Sequence, residues 1–144
     1  MTRAQTSALP LLERLVMGSV SVTARVVAEG APELTLLQWR VLVVLAGNPD
    51  GVTVSDLASR IGSRLSAMSR LLGRMRRRGL VETRKDHPDA RITTVLLGAG
   101  GQELWQRVVA SRRSELSALL AAASFTPSDR PGLERLANAM ETFL

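Results

Sequence analysis

The sequence predicts a mainly α-helical chain with one small β-hairpin near its middle. Three observations predict it. Apolar residues recur at helical spacing through most of the 144 residues. Only residues 81–85 and 91–97 read as strands, placed around the turn from Asp86 to Ala90. Breaker clusters, Gly47-Asn48-Pro49-Asp50-Gly51 and Gly98-Ala99-Gly100-Gly101, cut the chain into pieces of helix length. There is no internal repeat and no low-complexity linker, and the length fits one domain over residues 1–144.

The first helix is expected over residues 8–29. Leu12, Leu15, Val16, Val20, Val22, Val26 and Val27 recur along it, and Gly30-Ala31-Pro32 ends it. Its polar face is thin, with Glu13, Arg14 and Arg25, so a second apolar face calls for a partner chain. Thr35 and Gln38 have capping-box spacing and start a helix running to about Ala46, with Leu37, Val41, Leu42 and Leu45 inward. Thr53 and Asp56 start a short helix buried through Leu57, Ala58 and Ile61, and Gly62 suits its end. Ser63 is expected to cap the next helix, whose apolar line is Leu65, Met68, Leu72 and Met75, with Leu71 beside it. A short helix, a glycine turn and a second helix make a helix-turn-helix.

The hairpin then follows as a wing. A long helix is expected from Gly98 to about Ala123, with Leu104, Trp105, Val108, Val109, Leu116, Leu119 and Leu120 on its apolar line. Thr126-Pro127 is expected to cap and open the last helix, which carries Leu133, Leu136, Ala137, Met140, Phe143 and Leu144. The layout is a winged helix-turn-helix over residues 34–97, flanked by candidate dimerisation helices at 8–29 and 98–144.

Charge then narrows the partner. Between residues 60 and 91 ten basic residues face three acidic ones, an excess larger than the whole-chain charge of +6. An anionic partner is implied, nucleic acid or a membrane surface. A membrane-surface helix would need its bulky apolar residues free to insert. Here those residues are needed for the core, which leaves nucleic acid. The same composition excludes other classes. There is no cysteine, which removes thiolate metal sites and thiol redox sensing. With no tyrosine and a single histidine, His87, no nucleophile–base pair can be placed, so an enzyme is not expected, nor a metal or cofactor. No apolar run reaches spanning length and no secretory signal is evident, so the expectation is a cytoplasmic protein.

Within the basic segment, residues opposite the apolar line of the second helix are free for DNA. Its N-terminal part is what reaches base edges. Arg64, Ser66, Ala67, Ser69 and Arg70 are therefore the base-reading candidates. Arg70 has the fork to pair with guanine O6 and N7, and Ala67 is small enough to touch a thymine methyl. Arg74 and Arg77 are placed for phosphates, with Arg84 and Lys85 further along the strand. Arg76-Arg77-Arg78 has a second reading as a solvated run suited to a helix C-terminus. Arg91 at the wing suits a narrow minor groove, with Asp89 two residues earlier placed to pair with an arginine and fix the loop; the other reading makes both a surface ion pair of little consequence. His87 reads as a turn residue. Met17, Val20, Trp39 and Trp105 are the candidate walls of a ligand pocket, with ordinary core as the other reading.

LTLLQWRVLVVLA, TVSDLASRI and LSAMSRLLGRMRRRGLVETRKDHPDARITTVLLGAGG together resemble the MarR family of bacterial transcription factors, over about residues 34–105. The resemblance implies a homodimer with interleaved terminal helices, binding a pseudo-palindromic operator on double-stranded DNA, usually as a repressor. It also implies release by a small aromatic or anionic effector. It places Arg70 in the recognition helix and Arg91 at the wing. Two positions depart from the family pattern: Ala90 stands where an arginine is usual, and Gly98 where a capping threonine is usual. A non-specific, architectural DNA binder of the same fold is the alternative, left open by the small residues Ser66, Ala67 and Gly73.

Overall fold

The computed structural model describes residues 2–85, 89 and 92–141. Six helices and three short strands run in the order α1 (Arg3–Gly30), α2 (Leu36–Ala46), β1 (Val52–Thr53), α3 (Val54–Ile61), α4 (Leu65–Arg77), β2 (Val81–Arg84), β3 (Thr94–Leu97), α5 (Ala99–Ala122) and α6 (Arg130–Met140). The fold is mainly helical with a small antiparallel sheet, as the sequence predicts.

The core forms where the C-terminal turns of α1, the whole of α2, α3 and α4, and the N-terminal half of α5 converge. Val26, Val41, Leu42, Leu57, Met68, Met75, Val95 and Val108 are fully enclosed there. Each such side chain contributes roughly 1.5–3 kcal/mol by leaving water. Trp39 is buried in this core, and Trp105 packs on its margin.

Capping chemistry places the helix starts of this core. The Thr35 hydroxyl accepts from the Gln38 N–H at 3.2 Å, and the Gln38 side chain accepts from the Thr35 N–H at 2.9 Å. This reciprocal pair satisfies two donors the helix leaves unpaired. Thr53 accepts from the Asp56 N–H at 3.1 Å and opens α3 in the same way. Gly62 ends α3 with φ 73°, the left-handed conformation a helix terminus often needs.

Several boundaries and faces differ from the expectation, each for a local reason. α1 begins at Arg3, ahead of the apolar periodicity, with Pro10 inside it. Of its predicted apolar line only Val26 and Val27 are buried, while Leu15, Val16 and Val20 face outward. Leu37, expected inward, is 46% exposed, because α2 turns its other flank to the core. Leu65 is exposed too, since it precedes the turn of α4 that meets α3. Ser63 does not cap α4: the N-cap is Arg64, without a side-chain bond, and the Ser63 hydroxyl donates to the Arg64 carbonyl instead. Thr126 does not cap α6 either. Its N–H and hydroxyl donate to the Asp129 carboxylate at 2.8 and 2.7 Å, closing a turn, and the helix starts at Arg130. These hydrogen bonds hold the Asp129 carboxyl below its ordinary pKa. The sheet has a third strand that was not anticipated. Val52 pairs with Val95 and Thr53 with Thr94, giving the order β1-β3-β2. Two residues are too few to show an alternating pattern, and β1 exists only because β3 lies beside it. β3 spans Thr94–Leu97, and residue 91, where the expected strand starts, lies outside the described residues.

Candidate nucleic-acid interface

The helix-turn-helix comprises α3, the turn at residues 62–64, and α4. Met68, Leu71, Leu72 and Met75 bury one flank of α4 against α3 and the sheet. Residues about 3.6 apart share a face, so this commitment decides what the opposite flank presents. That flank shows Ser66, Ser69, Arg70, Arg74 and Arg77, all exposed. Arg64 is exposed just before the helix, and Ala67 lies half-buried at the boundary. The structure thus brings seven of the ten DNA-binding candidates onto one helix and its N-terminus.

Among the described residues, the guanidinium groups of Arg64, Arg70, Arg74 and Arg77 have no hydrogen-bond or ion-pair partner within the chain. Other arginines of the segment are anchored. Arg76 donates to the Thr83 hydroxyl at 3.4 Å, across to β2. Arg78 donates to the Glu33 carbonyl at 3.2 Å, reaching the residues before α2. Arg84 donates to the Asp50 carbonyl at 3.2 Å, tying the base of the wing to the loop before β1. The triple arginine is therefore split: Arg77 faces solvent, while its two neighbours brace the scaffold. The sequence could not separate them, because their partners lie on other elements.

Further along, Lys85 is exposed at the end of β2. Arg91 lies outside the described residues, as do His87 and the departure at Ala90. Asp89 is exposed, and its carbonyl accepts from the Ile92 N–H at 3.0 Å, a contact within the wing turn. Between α4 and the sheet runs a shallow groove bordered by Ser69, Gly73, Arg76, Thr83 and Thr93. Its two threonine hydroxyls were not among the sequence candidates. They become visible only once β2 and β3 are laid beside the helix.

The candidate pocket residues are not gathered in one place. Met17 and Val20 stand exposed on α1, Trp39 is in the core, and Trp105 lies at its edge. An apolar groove of about 560 Å3 does exist, lined by Leu12, Leu15, Val16 and Val22 of α1, Leu116 and Leu119 of α5, and Leu133, Leu136 and Met140 of α6. None of the four candidates lines it. α6 buries no residue, so its apolar side is left bare. Among the described residues no helix is long and apolar enough to cross a membrane.

Comparison with known proteins follows the same lines. The model of the MarR family matches residues 33–92, from the start of α2 into the wing. A crystal structure of a Mycobacterium tuberculosis protein is similar over 96% of this chain and 91% of its own, at 27% identity and a TM-score of 0.74. A MarR family protein from Bacillus stearothermophilus superposes with a TM-score of 0.78 at 22% identity, covering 99% of this chain and 96% of that one. The PcaV transcriptional regulator of Streptomyces coelicolor, solved with its natural ligand, superposes with a TM-score of 0.64 at 22% identity, covering 99% and 96% of the two chains. No curated protein matches the chain by sequence.

Proposed function

We propose, for a chain whose residues 33–92 match the MarR family model and whose fold resembles that of a MarR family protein, that it is a homodimeric repressor reading a pseudo-palindromic operator. MarR-family proteins are transcription regulators, not enzymes, and the DNA-binding regulator reading stands on that. The observation that carries the finer reading is the face of α4, where unpartnered Arg70, Arg74 and Arg77 stand beside exposed Ser66 and Ser69. Hydroxyls and a guanidinium fork near the helix N-terminus suit base edges, and the later arginines suit phosphates. Arg84 and the exposed Lys85 at the end of β2 are assigned to the same DNA-binding set, as are Arg91 and Asp89 on the sequence alone.

The second chain is supported by the bare apolar sides of α1, α5 and α6. Sixteen large hydrophobics are exposed among the described residues, and thirteen of these lie before residue 21 or after residue 115. Seven of these line the groove between α1, α5 and α6, an apolar surface that a monomer would leave in water, which soluble monomers seldom do. Two recognition helices related by a two-fold axis would then meet successive major grooves about 34–36 Å apart. We extend the reading to a small effector, since the similar Streptomyces regulator has a natural ligand, and take its aromatic or anionic class from the family resemblance of the sequence.

Footprinting on DNA flanking the protein's own coding region tests this reading. The expected result is two protected half-sites about one helical turn apart, with affinity that falls steeply with salt. Equal affinity for scrambled DNA would replace it with the architectural alternative. Loss of protection on adding a small phenolic acid tests the effector.

A further inference from the structure

One side chain at the edge of the α4 reading face serves neither core nor charge. Leu65 is the first residue of α4 and is 55% exposed. Among the described residues between 38 and 115 it is the only exposed large hydrophobic. The others gather on α1, on the first turn of α2, and on α5, α6 and the turn between them. Its position is not a requirement of the helix start, whose N-cap is Arg64. Helical spacing sets Leu65 one turn before Ser69, beside Ser66 and Arg64, so it borders the groups proposed to read bases. Ala67, the other apolar residue there, is half-buried and short.

The chemistry of the major groove offers a partner for such a group. Its base edges present hydrogen-bond donors and acceptors, and one apolar feature, the C5-methyl of thymine. Serines and arginines address the former and leave the methyl unread. We propose that Leu65 is a specificity-determining residue that packs on a thymine methyl, so that each half-site holds one thymine recognised without a hydrogen bond. This inference rests on the DNA-binding reading above.

The test uses the full-length protein and double-stranded DNA enriched by it from a random-sequence pool. Each thymine of the enriched site is replaced singly by deoxyuridine, which removes the methyl and leaves every hydrogen-bonding group in place. The wild type is expected to bind about fourfold more weakly at one thymine per half-site, the worth of one buried methyl-sized group. Leu65→Ala should lose that discrimination and bind both versions alike, while Leu65→Met, which keeps an apolar side chain, should retain it. If Leu65→Ala shows the same fourfold loss as the wild type, or if no thymine is methyl-sensitive in the wild type, the inference is overturned and sequence-specific binding stands. If the pool yields no enriched sequence, both fall.

Discussion

The carbonyl oxygen of Gly79 lies 2.5 Å from where a Cβ on Gly98 would stand. Gly98 is the N-cap of α5, and its N–H donates to the Leu80 carbonyl at 3.0 Å. The turn that follows α4 and the start of α5 are thus in backbone contact. Gly101, one turn on, lies against the Leu80 carbonyl with no room for a Cβ. The conformation of Gly98, φ −80° and ψ 165°, is open to any residue, so it is the close approach that requires glycine there.

That contact reverses an expectation from capping chemistry. Threonine is a better N-cap than glycine by a few tenths of a kcal/mol, so Gly98→Thr ought to stabilise α5. Here the new Cβ would press on a backbone carbonyl, which gives way less cheaply than the end of a flexible side chain. Gly98→Thr should instead destabilise the protein by about 1–3 kcal/mol, the usual cost of overpacking. Urea unfolding followed by circular dichroism measures it, and a higher midpoint than wild type would show that the two segments can separate.

Arg70 and Arg77 occupy one exposed face but should behave differently. Arg70→Ala is expected to weaken operator binding by about tenfold or more while changing scrambled DNA little. Arg77→Ala should weaken both alike and reduce the slope of log K against log salt by about one. Titrations by fluorescence anisotropy at several salt concentrations separate the two. Identical profiles for the two variants would mean that α4 does not read bases through Arg70.

The neighbours of Arg77 give an internal comparison. Arg76 and Arg78 are committed to Thr83 and to the Glu33 carbonyl. Arg76→Ala and Arg78→Ala should each cost less DNA affinity than Arg77→Ala, and each should lower stability by about 1 kcal/mol or less, because the bonds are solvent-exposed. Thermal unfolding beside the same anisotropy titration checks both. A larger affinity loss from Arg78→Ala than from Arg77→Ala would refute this division.

The apolar groove between α1, α5 and α6 should be covered by a second chain. Leu136→Glu places a charge on that surface, where an unpaired ion is costly to bury. Sedimentation is expected to shift from twice the chain mass of 15.5 kDa to a single chain, with a parallel loss of operator affinity. A wild type that already sediments as one chain would remove the dimer from the proposed function.

Much of this was legible in the residues. The capping pairs Thr35–Gln38 and Thr53–Asp56 lie three apart in sequence, so their partners are local and the spacing alone identifies them. The buried line Met68, Leu72, Met75 of α4 is likewise a local periodicity, and it determines which arginines are left outside. Where the sequence misled, the missing information was distant. Leu37 and Leu65 look like core by spacing, but spacing names an apolar stripe without saying how wide a part of it a neighbour covers. Ser63 and Thr126 have capping chemistry, yet the chain direction around each sends the hydroxyl elsewhere.

The sequence by itself determined the helical plan, the position of the hairpin and the concentration of positive charge around α4. All three follow from periodicity, breakers and counting, which need no knowledge of what packs on what. Only the tertiary structure decided that Arg76, Arg78 and Arg84 brace the scaffold, that β1 completes the sheet, and that Gly98 has no space for a side chain. Each of these depends on a group tens of residues away or on another element. Such contacts arise from the folding of elements onto one another, and no pattern within a single segment encodes them.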